Sequence, residues 1–133
     1  RQRQMCIRDR YPVVDILPSQ KNIKLKGGTM RLGGMHVRLI RGTKLWHGYK
    51  KDLIIERFRH RYHIIRDFAE KMNEKGYTIN AEDEAGNIAG FEINWHPFFI
   101  GVQFHPEYKS RPWDPSPSYL IFIKSILEIK GKR

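Results

Sequence analysis

The stretch Phe98-Phe99-Ile100-Gly101-Val102-Gln103-Phe104-His105-Pro106-Glu107 decides how this chain is read. Its apolar, aromatic run has the character of a strand buried on both faces. Side chains two apart on an extended chain point the same way, so His105 and Glu107 are expected to project together from its end. Pro106 reinforces this, because its ring fixes its own φ and pushes His105 toward extended geometry. A histidine titrates near neutrality, and a carboxylate beside it sets its tautomer and stabilises its protonated form. His105 and Glu107 are therefore candidates for the base and orienting acid of a catalytic triad. The plainer alternative is a strand-end histidine that caps neighbouring backbone groups.

Immediately upstream, Asn94-Trp95-His96-Pro97 holds a second His-Pro step, but no acid follows His96, which reads as structural. Tyr77-Thr78-Ile79-Asn80-Ala81 and Ile88-Ala89-Gly90-Phe91-Glu92-Ile93 flank Asp83-Glu84-Ala85-Gly86-Asn87, a β-hairpin signal with solvated acids expected at its tip. Before it, apolar residues from Ile64 to Met72 recur at helical spacing, Gly76 is placed to end the helix, and Phe68 and Met72 are expected in the core. Downstream, a proline-rich loop ends at Ser116, a candidate cap for a helix that begins at Pro117. Leu120, Ile123 and Leu127 share one face of that helix, which is expected to cover the sheet, with the basic residues 130–133 at its negative end.

Glu56-Arg57-Phe58-Arg59-His60-Arg61-Tyr62-His63 packs three arginines and two histidines into eight positions. Arg57, Arg59 and Arg61 alternate, and on an extended segment would share one side, either as a solvated face or as an anion site. Gly27-Gly28-Thr29-Met30-Arg31-Leu32-Gly33-Gly34 is a weak phosphate-cradle candidate. It lacks the lysine and hydroxyl of a P-loop and opens no helix, so a turn into the strand 35–40 is the better reading. Arg41-Gly42-Thr43-Lys44 reads as a turn. Tyr11-Pro12-Val13-Val14-Asp15-Ile16-Leu17-Pro18 reads as an extended connector or edge segment.

With 133 residues the chain is one domain or part of one. No apolar run approaches the ~20 residues of a membrane span, and a cytoplasmic protein is expected. A single cysteine, Cys6, excludes an internal disulfide framework and a cysteine-rich zinc site. The formal charge of +11 invites a nucleic-acid reading. Residues 1–10, however, hold four arginines and one aspartate, a net +3 that leaves +8 spread along the body. Scattered charge of this kind fits a solvated surface or an anionic substrate at least as well. The first ten residues lack periodicity, resemble translated adapter read-through and read as a non-native tail. Cys6 there has none of the small flanking residues of a nucleophile elbow.

Four stretches together resemble the C-terminal part of the glutamine amidotransferase domain of the CTP synthases, a class I (triad) family. They are Gly27-Gly28-Thr29-Met30-Arg31-Leu32-Gly33, Arg59-His60-Arg61-Tyr62, residues 98–107, and Lys109-Ser110-Arg111-Pro112 with Pro115-Ser116-Pro117. The resemblance runs from about Tyr11 to the end, making 11–133 the amidotransferase portion. It implies an incomplete α/β domain: part of a doubly wound, flavodoxin-like fold with a mixed sheet flanked by helices. It further implies that His105 is the catalytic base, Glu107 its orienting acid and Arg61 a glutamine contact. In the family a cysteine thiolate attacks the glutamine side-chain amide, and ammonia passes to an amidoligase domain that uses ATP with Mg2+ to aminate UTP, with GTP as activator. The nucleophile elbow and the amidoligase domain precede the matched region, so the fragment alone is expected to be inert. It carries no cofactor of its own, and the full-length enzyme is expected to be a homo-oligomer. Phe58 stands where the family has histidine, and His63 where it has an acid. Another triad amidotransferase or hydrolase, or a basic nucleic-acid-binding module, are the alternative readings.

Overall fold

The computed structural model describes residues 13–17 and 31–131. Seven strands form one open sheet: β1 (Val14–Ile16), β2 (Arg31–Leu39), β3 (Leu53–His60), β4 (Tyr62–Ile64), β5 (Tyr77–Asp83), β6 (Ile88–Ile93) and β7 (Ile100–Val102). Their spatial order is β1-β4-β6-β5-β2-β3, and β7 pairs with β6 beside β4. Every pairing among these strands is antiparallel. Among the described residues, three helices accompany the sheet: α1 (Lys44–Tyr49), α2 (Arg66–Asn73) and α3 (Pro117–Gly131). The α/β class read from the sequence holds.

Alternation explains the longest pairing. Along β3, Ile54, Glu56 and Phe58 are buried while Leu53, Ile55, Arg57 and Arg59 are exposed, the period of two of a strand with one face on a core. Phe58 and Ile54 join Val37, Leu39, Leu45, Ala81, Ala89 and Phe104 in a single buried cluster. Phe58 lies edge-on to Phe104 with ring centroids 6.1 Å apart, so the core reaches the residue just before His105.

The hairpin β5–β6 forms as expected, with a register shift around Ala81. Its acids divide differently from the expectation. Glu84 is exposed, but Asp83 is buried and folds the turn around itself, accepting from the amides of Ala85 (2.8 Å) and Asn87 (2.9 Å) and from Asn87 Nδ2 (2.8 Å). An aspartate with its own turn's donors in reach has no need of water.

Helix α1 is not announced by the hydrophobic spacing, and its first residue falls within the turn expected at 41–44. Thr43 caps it, the hydroxyl accepting from the Trp46 amide at 3.2 Å. The buried carboxylate of Glu92, reaching across from β6, accepts from the amides of Lys44 (2.9 Å) and Leu45 (3.3 Å). At the other end Asp52 accepts from Trp46 Nε1 at 2.8 Å and pairs with Arg41, which together hold its carboxyl down to about 2.

Three further expectations are corrected. The apolar run is not one long buried strand: β7 keeps only 100–102, half-buried, while Phe99 is exposed. Phe68 and Met72 are half-buried, and Ala69 is the residue of α2 that enters the core. Helix α3 does not bury the face of Leu120, Ile123 and Leu127, all of which are exposed, and it buries no residue fully. It rests instead against α1, where Ile121 fills the space over Gly48, and Phe122 meets Phe98 at 5.1 Å. The strand expected at 35–40 extends back to Arg31, so the second half of the glycine-rich stretch lies in β2. Residues 27–30 and the N-terminal segment 1–10 with Cys6 lie outside the described residues.

Candidate active site

His105 and Glu107 are brought together, though not by an extended chain. His105 has φ −107° and ψ 89°, the open geometry a following proline imposes, and Pro106–Tyr108 then form one turn of 3₁₀ helix. That turn carries Glu107 back so that its Oε1 lies 2.6 Å from His105 Nδ1. Pro106 is buried and anchors the turn, while both candidate side chains stay accessible, His105 at 36% and Glu107 at 51% of full side-chain exposure.

The protonation pattern follows from the partners. Burial acts to raise the Glu107 carboxyl, but its own backbone N–H and the His105 ring, by hydrogen bond and by charge, outweigh it and hold the group below its ordinary value of 4.5. Glu107 is thus ionised near neutrality and only accepts. Nδ1 of His105 must then carry the proton, which leaves the Nε2 lone pair to take one. An oriented imidazole with a free Nε2 is what general-base catalysis requires.

The turn is fixed to the sheet from outside. The His105 amide donates to the Arg57 carbonyl of β3 at 2.8 Å, and the Lys109 ammonium donates to the Ile55 carbonyl. Gln103 N–H donates to the Ala89 carbonyl at 2.8 Å, continuing β7's alignment on β6 to within two residues of the histidine.

Arg61 does not share the exposed side of β3 with Arg57 and Arg59. It occupies the bend between β3 and β4, half-exposed, and its carbonyl accepts the Leu17 amide at 2.9 Å. The adjoining Tyr62 carbonyl accepts from Gln103 Nε2 at 3.4 Å, a long bond that links the Arg61 bend to the segment carrying His105. Phe58, where the resemblance calls for histidine, faces the core rather than solvent. His63 lies in β4 opposite Asp15 of β1. Among the described residues, no group of three or more His, Cys, Asp or Glu side chains is arranged to hold a metal ion. No described helix is long and apolar enough to cross a membrane.

Tyr108, whose ring lies 5.2 Å from the imidazole, escaped the sequence reading, and Arg57, read there only as part of an alternating arginine face, holds the His105 amide through its carbonyl. The only local signal was an aromatic residue directly after His-Pro-Glu.

Known proteins resemble this chain in sequence and in fold. Residues 10–125 match the family profile described as glutamine amidotransferase class-I. The CTP synthase of Aeropyrum pernix is 42% identical over 91% of this chain, and that of Bacillus subtilis 38% identical over 92%. In both cases the chain spans only 23% of the relative's length. Among solved structures, the glutaminase domain of Trypanosoma brucei CTPS with bound acivicin superposes with a TM-score of 0.80 at 29% identity, covering 92% of this chain and 48% of that one. A Thermoplasma acidophilum protein described as a putative GMP synthase component shares the fold with a TM-score of 0.60 at 18% identity, covering 78% of this chain and 48% of that one. The chain belongs to the class-I glutamine amidotransferase family.

Proposed function

We propose that this chain is the C-terminal portion of the glutaminase domain of a CTP synthase and supplies the base, the orienting acid and one substrate contact for release of ammonia from glutamine. The observation that carries the reading is the 2.6 Å bond from His105 Nδ1 to Glu107, which leaves Nε2 unencumbered. In this reading a cysteine thiol from the preceding part of the enzyme gives its proton to Nε2, and the thiolate attacks the side-chain amide carbon of glutamine. The imidazolium, stabilised by Glu107, returns the proton to the departing nitrogen, and ammonia leaves a thioester. Nε2 then deprotonates water, whose attack releases glutamate and restores the thiol. Arg61 offers a planar cation that matches the α-carboxylate of glutamine.

Residues 1–10 contribute nothing to this scheme, and 11–133 form the amidotransferase portion. ATP with Mg2+ and UTP belong to parts of the full-length enzyme outside this chain, and GTP is the activator of the glutamine reaction. The amidoligase domain that consumes the ammonia also lies outside this chain. The partition between nitrogen sources tests the assignment. In a full-length enzyme carrying this segment, His105→Ala should abolish CTP synthesis from glutamine and preserve synthesis from added ammonia. Equal loss of both would remove His105 from the glutaminase step. The 133-residue chain by itself should release no glutamate from glutamine.

A further inference from the structure

His105 lacks the packing that ordinarily fixes a catalytic ring. More than a third of its side chain is exposed, and a single hydrogen bond to an even more exposed carboxylate leaves the imidazole free to swing about its two side-chain bonds. What restrains it lies on its open side. The 3₁₀ turn returns Tyr108 to the histidine, placing the two ring centroids 5.2 Å apart in a tilted arrangement with planes inclined by 36°, within the contact range of aromatic pairs. The Arg57 guanidinium in turn lies over the Tyr108 ring, 5.8 Å from its centroid. Arg57 reaches this place because its own carbonyl holds the His105 amide at 2.8 Å, so one residue of β3 fixes both ends of the arrangement. Exposure of Arg57 and of Tyr108 (42%) rules out core packing as the reason these groups meet.

We propose that Arg57 and Tyr108 are positioning residues for proton transfer. With the guanidinium over the phenol ring and the phenol ring against the imidazole, they hold the His105 ring where Nδ1 meets Glu107 and Nε2 faces the nucleophile. This rests on the reading of His105 and Glu107 as base and orienting acid. It adds a device that keeps the base aimed where the described residues leave its ring partly open. Neither residue touches the reacting atoms. Tyr108 acts through the ring it covers, and Arg57 through Tyr108 by its side chain and through His105 by its backbone.

The test is ¹H–¹⁵N spectroscopy of the His105 imidazole in the 133-residue chain. The unsubstituted protein should show one tautomer, with the proton on Nδ1. Tyr108→Leu should speed exchange of that proton with water about three- to tenfold and bring in the second tautomer. Tyr108→Phe, which keeps the ring, should restore the original spectrum. Arg57→Leu, which keeps the strand carbonyl, should give a smaller change in the same direction, and it decides the matter if Tyr108→Leu fails to fold. The proposal is overturned if Tyr108→Leu folds and leaves tautomer and exchange unchanged, or if it does not fold and Arg57→Leu leaves them unchanged. The underlying base-and-acid reading would survive either result. A mixture of tautomers already present in the unsubstituted chain would instead overturn both, because there would be no oriented imidazole to hold.

Discussion

The His105 amide donates to the Arg57 carbonyl at 2.8 Å, so the candidate base hangs from the outermost strand of the sheet rather than from the strand that leads into it. Strand β7 delivers the chain to this point, and β3 decides where the imidazole starts. Glu107, one turn on, then decides how it is oriented.

Loss of that orientation gives the first prediction. In a full-length enzyme carrying this segment, Glu107→Gln should lower glutamine-driven turnover by about a hundred- to ten-thousand-fold, because an amide no longer enforces the Nδ1–H tautomer or stabilises the imidazolium. Turnover with added ammonia should be unchanged. A loss below about threefold would mean that Glu107 does not orient the base.

Arg61 should affect affinity more than rate. On the proposed role, Arg61→Leu removes a charged hydrogen-bond partner of the substrate and is expected to raise the KM for glutamine by roughly ten- to a hundredfold, with a smaller change in kcat. A fall in kcat at constant KM would place Arg61 in the chemical step instead.

Buried Glu56 sets a pH dependence of stability. Tyr49 donates to its Oε1 at 3.0 Å, while Oε2 is buried without a hydrogen-bond partner among the described residues. Burial raises the carboxyl above 4.5, against the lowering influence of the Tyr49 hydrogen bond and the Lys109 charge. A carboxyl raised in the folded state binds its proton more tightly there than in the unfolded chain. Its contribution is therefore complete below 4.5 and is lost as pH rises through the folded value. Glu56→Gln should flatten the stability profile in that window and leave the protein more stable at neutral pH. Urea midpoints measured across roughly pH 4 to 7 would show it, and an unchanged slope would contradict it.

Gly90 has no room for a side chain. A Cβ there would lie 2.4 Å from Asn80 Oδ1 and 2.7 Å from the Gly101 carbonyl oxygen, and the second of these belongs to the paired strand's backbone. Gly90→Ala should cost about 1–3 kcal/mol by urea unfolding, most of it through displacement of β7 from β6. A neutral result would mean that β7 yields easily, contrary to its place in the site.

Glu92→Leu leaves the Lys44 and Leu45 amides without their acceptor. A cost of about 1–3 kcal/mol for each amide left buried is expected, with loss of helical signal from α1 and little change in the β5–β6 hairpin. Amide exchange at 44–46 would report it.

What was legible in the sequence was local. His105-Pro106-Glu107 spans three residues, and the proline alone restricts its geometry enough to bring imidazole and acid together, although the path is a 3₁₀ turn where an extended chain was expected. The β5–β6 hairpin and the start of α3 at Pro117 were announced by turn and cap residues beside them. Distant partners hid the rest. Helix α1 has six residues and depends on a carboxylate from β6, so its own spacing carries no signal. Asp83 looks like a solvated hairpin acid until its turn closes around it. The exposed face of α3 shows the opposite limit: helical spacing of Leu120, Ile123 and Leu127 identifies a face but cannot say what covers it. Arg57 and Tyr108 meet because hydrogen bonds from His105 and Lys109 join the 3₁₀ turn to β3, a relationship no spacing encodes.

The Glu92 cap of α1 also orders events in time. Lys44 and Leu45 are synthesised 48 and 47 residues before the carboxylate that accepts their amides. While the chain is being made, α1 must wait with those amides in water until the second strand of the hairpin has emerged and paired. An early helix that depends on a late strand makes the first half of this segment a poor folding unit by itself. Truncation before Glu92 should therefore disorder residues far upstream of the cut.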